Sequence, residues 1–245
     1  AVTTNHLDDE ISTIMARIGA RVVDAPEPTQ AERDTERVKA QADRRVKAMM
    51  AIGWERRPLA LARDAAYDEA RATAYLSAMR AVDARKDGGI VVLAGNPGSG
   101  KTAAAARWAF TRERDAPRFM RAAEFFRSSR YTRGDERDRT VTRDDVLRSR
   151  ALVLDDAGAE YADANGSYRV DLDELIDRFY ADARVLVITT NIVYATPAQR
   201  DAAKGRGDVS EAPTFLDRYG ERVTDRIREC GRWVSSAAAS QRGRS

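Results

Sequence analysis

The sequence predicts an α/β fold, a doubly wound parallel β-sheet with helices on both faces, preceded by an α-helical N-terminal region. Short apolar runs alternate with helical segments, which is the pattern of a parallel sheet. The clearest runs are Ile90–Leu93, Ala151–Leu154 and Arg184–Ile188. Each is followed by glycine-rich or polar residues, and such a sheet binds its ligands at the carboxyl ends of its strands.

The composition of the 245 residues sets limits on the class of protein. A hydrophobic content of 43% supports a sizeable core, and a net charge of only +3 argues against a polybasic nucleic-acid coat. The charge is uneven, because Arg107–Arg150 holds 13 arginines, no lysine and 8 acidic residues, a net charge of +5. One segment therefore carries more than the whole positive excess.

Residues with reactive or metal-binding side chains are scarce. Cys230 is the only cysteine and His6 the only histidine, which excludes an internal disulfide and disfavours cysteine-bound metal and histidine-based catalysis. No apolar run approaches the ~18 residues of a membrane helix, and Asp8, Asp9 and Glu10 do not suit a signal peptide. We therefore expect a reducing compartment, the cytoplasm.

The first 50 residues are predicted to be α-helical. Apolar residues from Leu7 to Val22 lie on one face of an amphipathic helix, the segment Asp24–Thr29 contains two prolines, and Ala31–Met50 is again helical in composition. An αα-hairpin is the simplest interpretation. It either packs on the main domain or on its twin in an oligomer, or it docks on a partner protein. Docking is favoured because the second helix is so polar.

The remaining elements follow in order. We expect a linker and helix over 51–87, a nucleotide-binding domain over 88–236 and a flexible tail over 237–245. The helix should run from Pro58 to about Ala84, with buried positions at Leu61, Ala65, Leu76, Met79 and Val82. Later elements are a strand at Arg118–Met120, a helix at Ala122–Arg130, a loop at Tyr131–Arg143, a helix from Asp144, a helix at Leu172–Tyr180, a basic helix at Thr214–Cys230 and a short strand at Trp233–Val234.

A glycine-rich segment follows the first apolar strand. Gly95–Thr102 fits G-x-x-x-x-G-K-[ST], the phosphate-binding loop, and strong helix formers come next. Glycines let the backbone approach a phosphate chain, and the backbone N–H groups point at it from the helix N-terminus. Lys101 is expected to reach the β and γ phosphates of ATP, and Thr102 to bind Mg²⁺. The nucleotide-binding set is Gly95, Asn96, Pro97, Gly98, Ser99, Gly100, Lys101, Thr102 and Ala103.

Two later strands also end in polar residues. Ala151–Asp156 is the Walker B pattern, in which Asp155 holds Mg²⁺ through its water shell and Asp156 orients or deprotonates the attacking water. Taken alone, two acids at a strand end are equally explained as helix caps. Asn191 ends the strand from Arg184, where its amide is suited to the attacking water or the γ-phosphate, although asparagine is also a common N-cap.

These motifs, together with Asp155–Glu160, Leu175–Tyr180 and Tyr219–Ile227, resemble the AAA+ ATPases of the DnaC/DnaI/IstB type, the bacterial or phage helicase loaders and transposition helpers. The resemblance covers about residues 50–235. It implies a P-loop NTPase fold without a separate lid domain. It also implies ATP and Mg²⁺ as cofactors, ATP-dependent homo-oligomers, and ATPase activity that is slow because Asp156 replaces the family's frequent glutamate. Asn191 matches the sensor 1 position, and Arg226 the arginine finger, with Arg222 as the fallback.

The resemblance further implies a partner and a nucleic acid. We expect the chain to dock on a replicative helicase of the DnaB type through its N-terminal helices and to help load it on single-stranded DNA. The candidate DNA contacts are Arg121, Arg127, Arg130, Tyr131 and Arg133. A solvated face whose arginines form ion pairs within the chain explains this cluster of charge equally well. The alternatives are an IstB-like helper that binds duplex DNA and a transposase, and a P-loop small-molecule kinase.

Overall fold

A computed structural model gives the structure of the chain and describes residues 13, 28–64, 69–85, 87–112, 116–128, 141–159, 166–192 and 213–236. The chain divides into two compact units, residues 1–43 and residues 44–245. Most of the predicted helix over Leu7–Val22, most of the loop over Tyr131–Arg143, the expected core residue Ala65 and the tail over 237–245 lie outside the described residues. The predicted domain boundaries stay predictions.

Helix α1, Gln30–Met50, confirms the helix expected at Ala31–Met50. It begins at a cap in which the Thr29 amide donates to the Glu32 carboxylate at 2.7 Å and the Glu32 amide donates to the Thr29 hydroxyl at 3.3 Å. Residues 30–39 are exposed on every side of the helix. Near the other end of α1, Met49 is fully buried in a core cluster of the second unit.

The single helix expected from Pro58 to Ala84 is wrong. The structure has α2, Arg56–Arg63, and α3, Glu69–Asp83. Asp64 leaves the helical conformation at ψ 124°, which ends α2. Leu61, expected in the core, is 48% exposed, whereas Leu76, Met79 and Val82 of α3 are buried as expected.

Within the described part of the chain, the sheet has five parallel strands in the order β2-β3-β4-β1-β5. They are β1 Gly89–Gly95, β2 Arg118–Arg121, β3 Ala151–Ala157, β4 Val185–Thr190 and β5 Gly231–Ser236. Successive side chains of β1 enter core clusters on opposite faces of the sheet. Ile90 and Val92 belong to one cluster, and Val91 and Leu93 belong to the other. The doubly wound parallel sheet is thus confirmed, and so is the last short strand.

Helices cover both faces of the sheet. Helix α4, Lys101–Thr111, packs with α2 and α3 in the core cluster around Val91. None of the helices in the described residues is long and apolar enough to cross a bilayer. The opposite face is covered by α5 Ala122–Ser128, α6 Arg143–Arg148, α7 Ser167–Ala181, α8 Phe215–Tyr219 and α9 Glu221–Cys230.

The single basic helix expected over Thr214–Cys230 is also wrong. Gly220, at φ 89°, separates α8 from α9, and this left-handed conformation cannot continue an α-helix. Thr214 begins α8 with a capping box to Asp217. Helix α9 buries Val223 and Ile227 against the sheet, which leaves its arginines on the opposite side of the helix.

Candidate functional site

The phosphate-loop motif connects β1 to α4 at the carboxyl edge of the sheet. Gly98 and Gly100 have φ angles of 84° and 88°, values that side-chain-bearing residues rarely adopt. Gly100 is the N-cap of α4 and has no side chain to cap the helix. Backbone N–H groups of the first helical turn are therefore left for a ligand, and the helix dipole favours an anion such as phosphate there.

Lys101 lies at the centre of this loop. Its ammonium donates to the carbonyls of Gly95 and Asn96 at 2.8 and 3.1 Å and to the Ser99 hydroxyl at 3.3 Å. A fourth acceptor, Oδ1 of Asn191, lies at 2.9 Å, so the three N–H donors of the ammonium are shared among these four acceptors. The side chain is 7% exposed. A largely buried cation is thus held between a glycine loop and a helix N-terminus, as phosphate binding requires.

Asp155 and Thr102, the two expected Mg²⁺ ligands, are in contact. Oδ1 of Asp155 accepts hydrogen bonds from the Thr102 hydroxyl at 2.8 Å and from the Thr189 hydroxyl at 2.7 Å. Burial raises the pKa of Asp155, the two hydroxyls oppose this effect, and the nearby charges of Asp156 and Glu55 add to it. The carboxylate is therefore held in a setting that favours a cation.

The donor set fits a magnesium ion. A hydroxyl and a carboxylate beside a phosphate loop are the hard oxygen ligands that Mg²⁺ prefers, and this ion keeps several of its ligands from water and phosphate. Among the described residues, no group of three or more acidic, histidine or cysteine side chains is placed to hold a metal. Thr102 and Asp155 would hold Mg²⁺ together with a bound nucleotide.

Asn191 connects the lysine to the second carboxylate. Its amide nitrogen donates to Oδ1 of Asp156 at 2.9 Å, and its amide oxygen accepts from Lys101. Asp156 is exposed and has a left-handed φ of 59°, and its backbone N–H donates to the Thr189 hydroxyl at 2.9 Å. The pairing of β3 with β4 is irregular between Leu154 and Ala157. This local distortion presents the Asp156 carboxylate at the edge of the sheet.

Two residues near the carboxylates were not expected there. Arg121, one of the candidate DNA contacts, lies opposite Asp155 in the register of β2 and β3. Its guanidinium donates a hydrogen bond to the Glu55 carboxylate at 2.5 Å. Its pKa is raised, first by the hydrogen bond to Glu55 and then by Asp155 and Asp156. The position of Arg121 at a strand end was a readable signal. Glu55 lies just before α2, and nothing in the sequence indicates that it is near the carboxylates.

The candidate arginine fingers lie on α9 and contact acidic residues of α7 and α9. Arg226 pairs with Asp177 at 3.4 Å and with Glu229 at 3.1 Å, and Arg222 pairs with Asp173 at 3.3 Å and with Asp177. Among the described residues, the ion pairs of the two arginines involve α7 and α9 and not the phosphate loop. A finger role therefore needs a second copy of the chain.

The candidate DNA contacts are only partly described. Arg127 is exposed on α5, where its Nε donates to the carbonyl of Ala123 at 3.1 Å. Arg130, Tyr131 and Arg133 lie outside the described residues. Their role stays a prediction.

Comparisons with known proteins extend these observations. The profile of a family described as "IstB-like ATP binding protein" matches residues 31–220. A search of the curated proteins found no significant match. Similar solved structures include the DnaC helicase loader, with 27% identity over 67% of this chain and 88% of that chain and a TM-score of 0.47. DnaI has 18% identity over 78% of this chain and 95% of that chain, with a TM-score of 0.49. A putative primosome component from Streptococcus pyogenes serotype M3 has 18% identity over 74% of this chain and 84% of that chain, with a TM-score of 0.45.

Proposed function

Because this chain belongs to the IstB-like ATP-binding protein family and has a P-loop AAA+ fold, we propose that it is an ATP-hydrolysing helicase loader. The observation that carries the ATPase part is the amide of Asn191, which contacts both Lys101 and Asp156. One side chain thereby links the phosphate-binding cation to the carboxylate expected to activate water.

The proposed roles follow from the chemistry of each group. Lys101 and the N–H groups of the loop bind the phosphates, and Thr102 with Asp155 hold Mg²⁺, which when bound neutralises phosphate charge. Asp156 orients the attacking water or accepts its proton, and Asn191 keeps that carboxylate in position. Because an aspartate reaches less far than a glutamate, we expect slow turnover.

Hydrolysis is tested by measuring phosphate release from ATP by the wild-type chain and by Asp156→Asn. The asparagine keeps an oxygen for Asn191 but cannot act as a base, so we expect turnover to fall by about 100-fold or more with ATP affinity retained. Asp144→Asn, on the exposed surface of α6, is the matched control. Equal turnover in all three proteins would contradict the role of Asp156.

A finger supplied by a neighbouring subunit would make hydrolysis depend on assembly. The side chain of Arg222 is 66% exposed and that of Arg226 is 35% exposed, so each is accessible to a second copy. Mixing Arg226→Ala with Lys101→Ala separates the two halves of such a site: each variant alone is inactive, and the mixture regains activity. The same pair of measurements with Arg222→Ala decides between the two arginines. No recovery in either mixture contradicts a finger in trans.

Docking on a replicative helicase is supported by the exposure of α1. A polar helix exposed on all sides over residues 30–39 is typical of a segment that binds a partner. Val38 is 68% exposed and is the apolar residue of that stretch best placed for contact. We expect Val38→Glu to weaken capture by a DnaB-type helicase, with and without ATP, and Lys39→Gln, which lowers the net charge by the same one unit, to serve as the charge control. Unchanged capture by Val38→Glu, together with unchanged capture after deletion of residues 1–43, would contradict docking through this region.

Single-stranded DNA is the proposed nucleic-acid partner, through Arg127, Arg130, Tyr131 and Arg133. Phosphate contacts release counterions, so affinity should fall steeply as salt rises. A salt-independent affinity would count against the arginines.

The second candidate is a transposition helper, and the description of the family as IstB-like favours it. Such a protein would prefer duplex DNA and bind a transposase. Parallel titrations with single-stranded and duplex DNA of the same length distinguish the two functions.

A further inference from the structure

A buried tyrosine from outside the phosphate-loop motif contacts that loop. Tyr75 lies on α3 and is 1% exposed. Its hydroxyl donates to the carbonyl of Ala94 at 2.8 Å and lies 3.5 Å from the hydroxyl of Ser99. Ala94 immediately precedes the first glycine of the motif, and Ser99 belongs to the motif itself. Tyr75 therefore contacts the residue just before the loop and one residue inside it.

The direction of these hydrogen bonds follows from the groups involved. The Lys101 ammonium can only donate, and the Ala94 carbonyl can only accept. Because Lys101 donates to Ser99, the two hydroxyls between these ends can form one continuous chain, Lys101 to Ser99 to Tyr75 to Ala94. Ser99 is 1% exposed, so water has little access to this chain.

The ring of Tyr75 is held by packing on its own helix. Its neighbours Ala72, Leu76 and Met79 share a core cluster with Trp108 of α4. At the far end of α4, Arg112 pairs with Asp83 of α3 at 3.1 Å. Helix α3 thus contacts the phosphate loop through Tyr75 and the C-terminal end of α4 through Asp83.

We propose that Tyr75 is a positioning residue for the phosphate loop and tunes its affinity for nucleoside di- and triphosphates. The inference rests on the proposed ATP binding. Through Ser99 the hydroxyl sets where the Lys101 ammonium rests, and through Ala94 it sets where the loop leaves β1. Helix α3, which precedes the motif strand in the chain, is then part of the nucleotide site.

The test measures ATP and ADP affinity for the wild-type chain and for Tyr75→Phe by displacement of a fluorescent nucleotide. The phenylalanine keeps the ring and removes only the hydroxyl, so we expect both nucleotides to bind about 3- to 10-fold more weakly. Tyr168→Phe is the matched control, because Tyr168 is also buried but packs against Phe126 and Tyr219, away from the loop. Its affinities should equal those of the wild type.

A double-mutant cycle separates positioning from simple stabilisation. Ser99→Ala cuts the same chain from the loop side, and if the chain is real the combined loss of affinity is smaller than the product of the two single losses. If the loss of affinity in the double variant equals the product of the two single losses, the hydrogen-bond chain from Lys101 to Ala94 is contradicted. Thermal unfolding of each nucleotide-free variant is recorded in parallel, because a purely structural role lowers the unfolding temperature without changing nucleotide affinity.

The outcomes are distinct. A wild-type chain that binds neither ATP nor ADP overturns the proposed function and, with it, this inference. A wild-type chain that binds both, with Tyr75→Phe binding equally well, overturns only the role of Tyr75. Weaker binding by Tyr75→Phe with an unaffected Tyr168→Phe supports it, and Ser99→Ala provides the same comparison if Tyr75→Phe does not fold.

Discussion

Replacing Thr189 by valine tests how the magnesium carboxylate is held. The Thr189 hydroxyl is buried, donates to Oδ1 of Asp155 at 2.7 Å and accepts from the backbone N–H of Asp156 at 2.9 Å. Valine has nearly the same shape but makes neither bond. A hydrogen bond to a charged group contributes about 1.5–3 kcal/mol and a neutral one about 0.5–1.5 kcal/mol. We therefore expect Thr189→Val to lower the free energy of unfolding by about 2–4 kcal/mol.

The adjacent threonine provides a matched control. The Thr190 hydroxyl is also buried, donates to the carbonyl of Ala157 at 2.6 Å and accepts from the N–H of Ile192 at 3.0 Å. Thr190→Val thus removes one donated and one accepted bond, both neutral, for an expected loss of about 1–3 kcal/mol. Guanidinium unfolding followed by circular dichroism, without metal or nucleotide, compares the two variants.

The pH dependence separates the two variants further. Burial raises the pKa of Asp155 above 3.8 and the Thr189 hydroxyl opposes this rise, so the valine variant should have a higher pKa still. A raised carboxyl pKa means that ionisation destabilises the fold. The loss of stability in Thr189→Val beyond that in Thr190→Val is therefore fully present above the folded-state pKa of Asp155 in the valine variant. It shrinks as the pH falls through that pKa towards the lower pKa of the wild type. Equal losses for both variants with the same pH dependence would show that the Thr189 hydroxyl does not stabilise the Asp155 carboxylate.

Three further substitutions test the packing around the site. Phe125→Ala empties a fully buried position in the core and should lower stability by about 3–5 kcal/mol in denaturant unfolding, and a loss below 2 kcal/mol would contradict its burial. Gly53→Ala should cost about 2–4 kcal/mol, because φ is 102° and the new Cβ would lie 2.1 Å from the carbonyl oxygen of Phe119; unchanged unfolding would contradict that close approach. Arg45→Met removes a guanidinium that donates to the carbonyl of Ala109 near the end of α4, and should lower the free energy of unfolding by about 1 kcal/mol. An unchanged unfolding temperature would contradict this contact.

The strands could be predicted because burial on both faces leaves a plain signal. All four residues of Ile90–Leu93 are fully buried, and each is apolar. Helix ends were less readable. Residues 63–69 contain neither glycine nor proline, so the break between α2 and α3 has no local marker. Gly220 is such a marker, but a helix tolerates an isolated glycine, and only its left-handed φ shows that it separates two helices.

The candidate site could be predicted to the extent that strand order determines it. Residues at or soon after the carboxyl ends of β1, β3 and β4 must meet at one edge of the sheet, which brings together Lys101, Asp155 and Asn191. The contributions of Glu55 and Tyr75 were not predictable in this way. Both precede β1 in the chain, and their positions depend on how the helices pack rather than on a motif.

The phosphate-binding role of the loop is tested by isothermal titration of ATP into the wild-type chain and into Lys101→Met, each with Mg²⁺. We expect one ATP per wild-type chain. We also expect at least about a 100-fold loss of affinity in Lys101→Met, because methionine keeps the apolar stem and removes the only charged group of Gly95–Thr102. Equal ATP affinity in the two proteins would contradict this role.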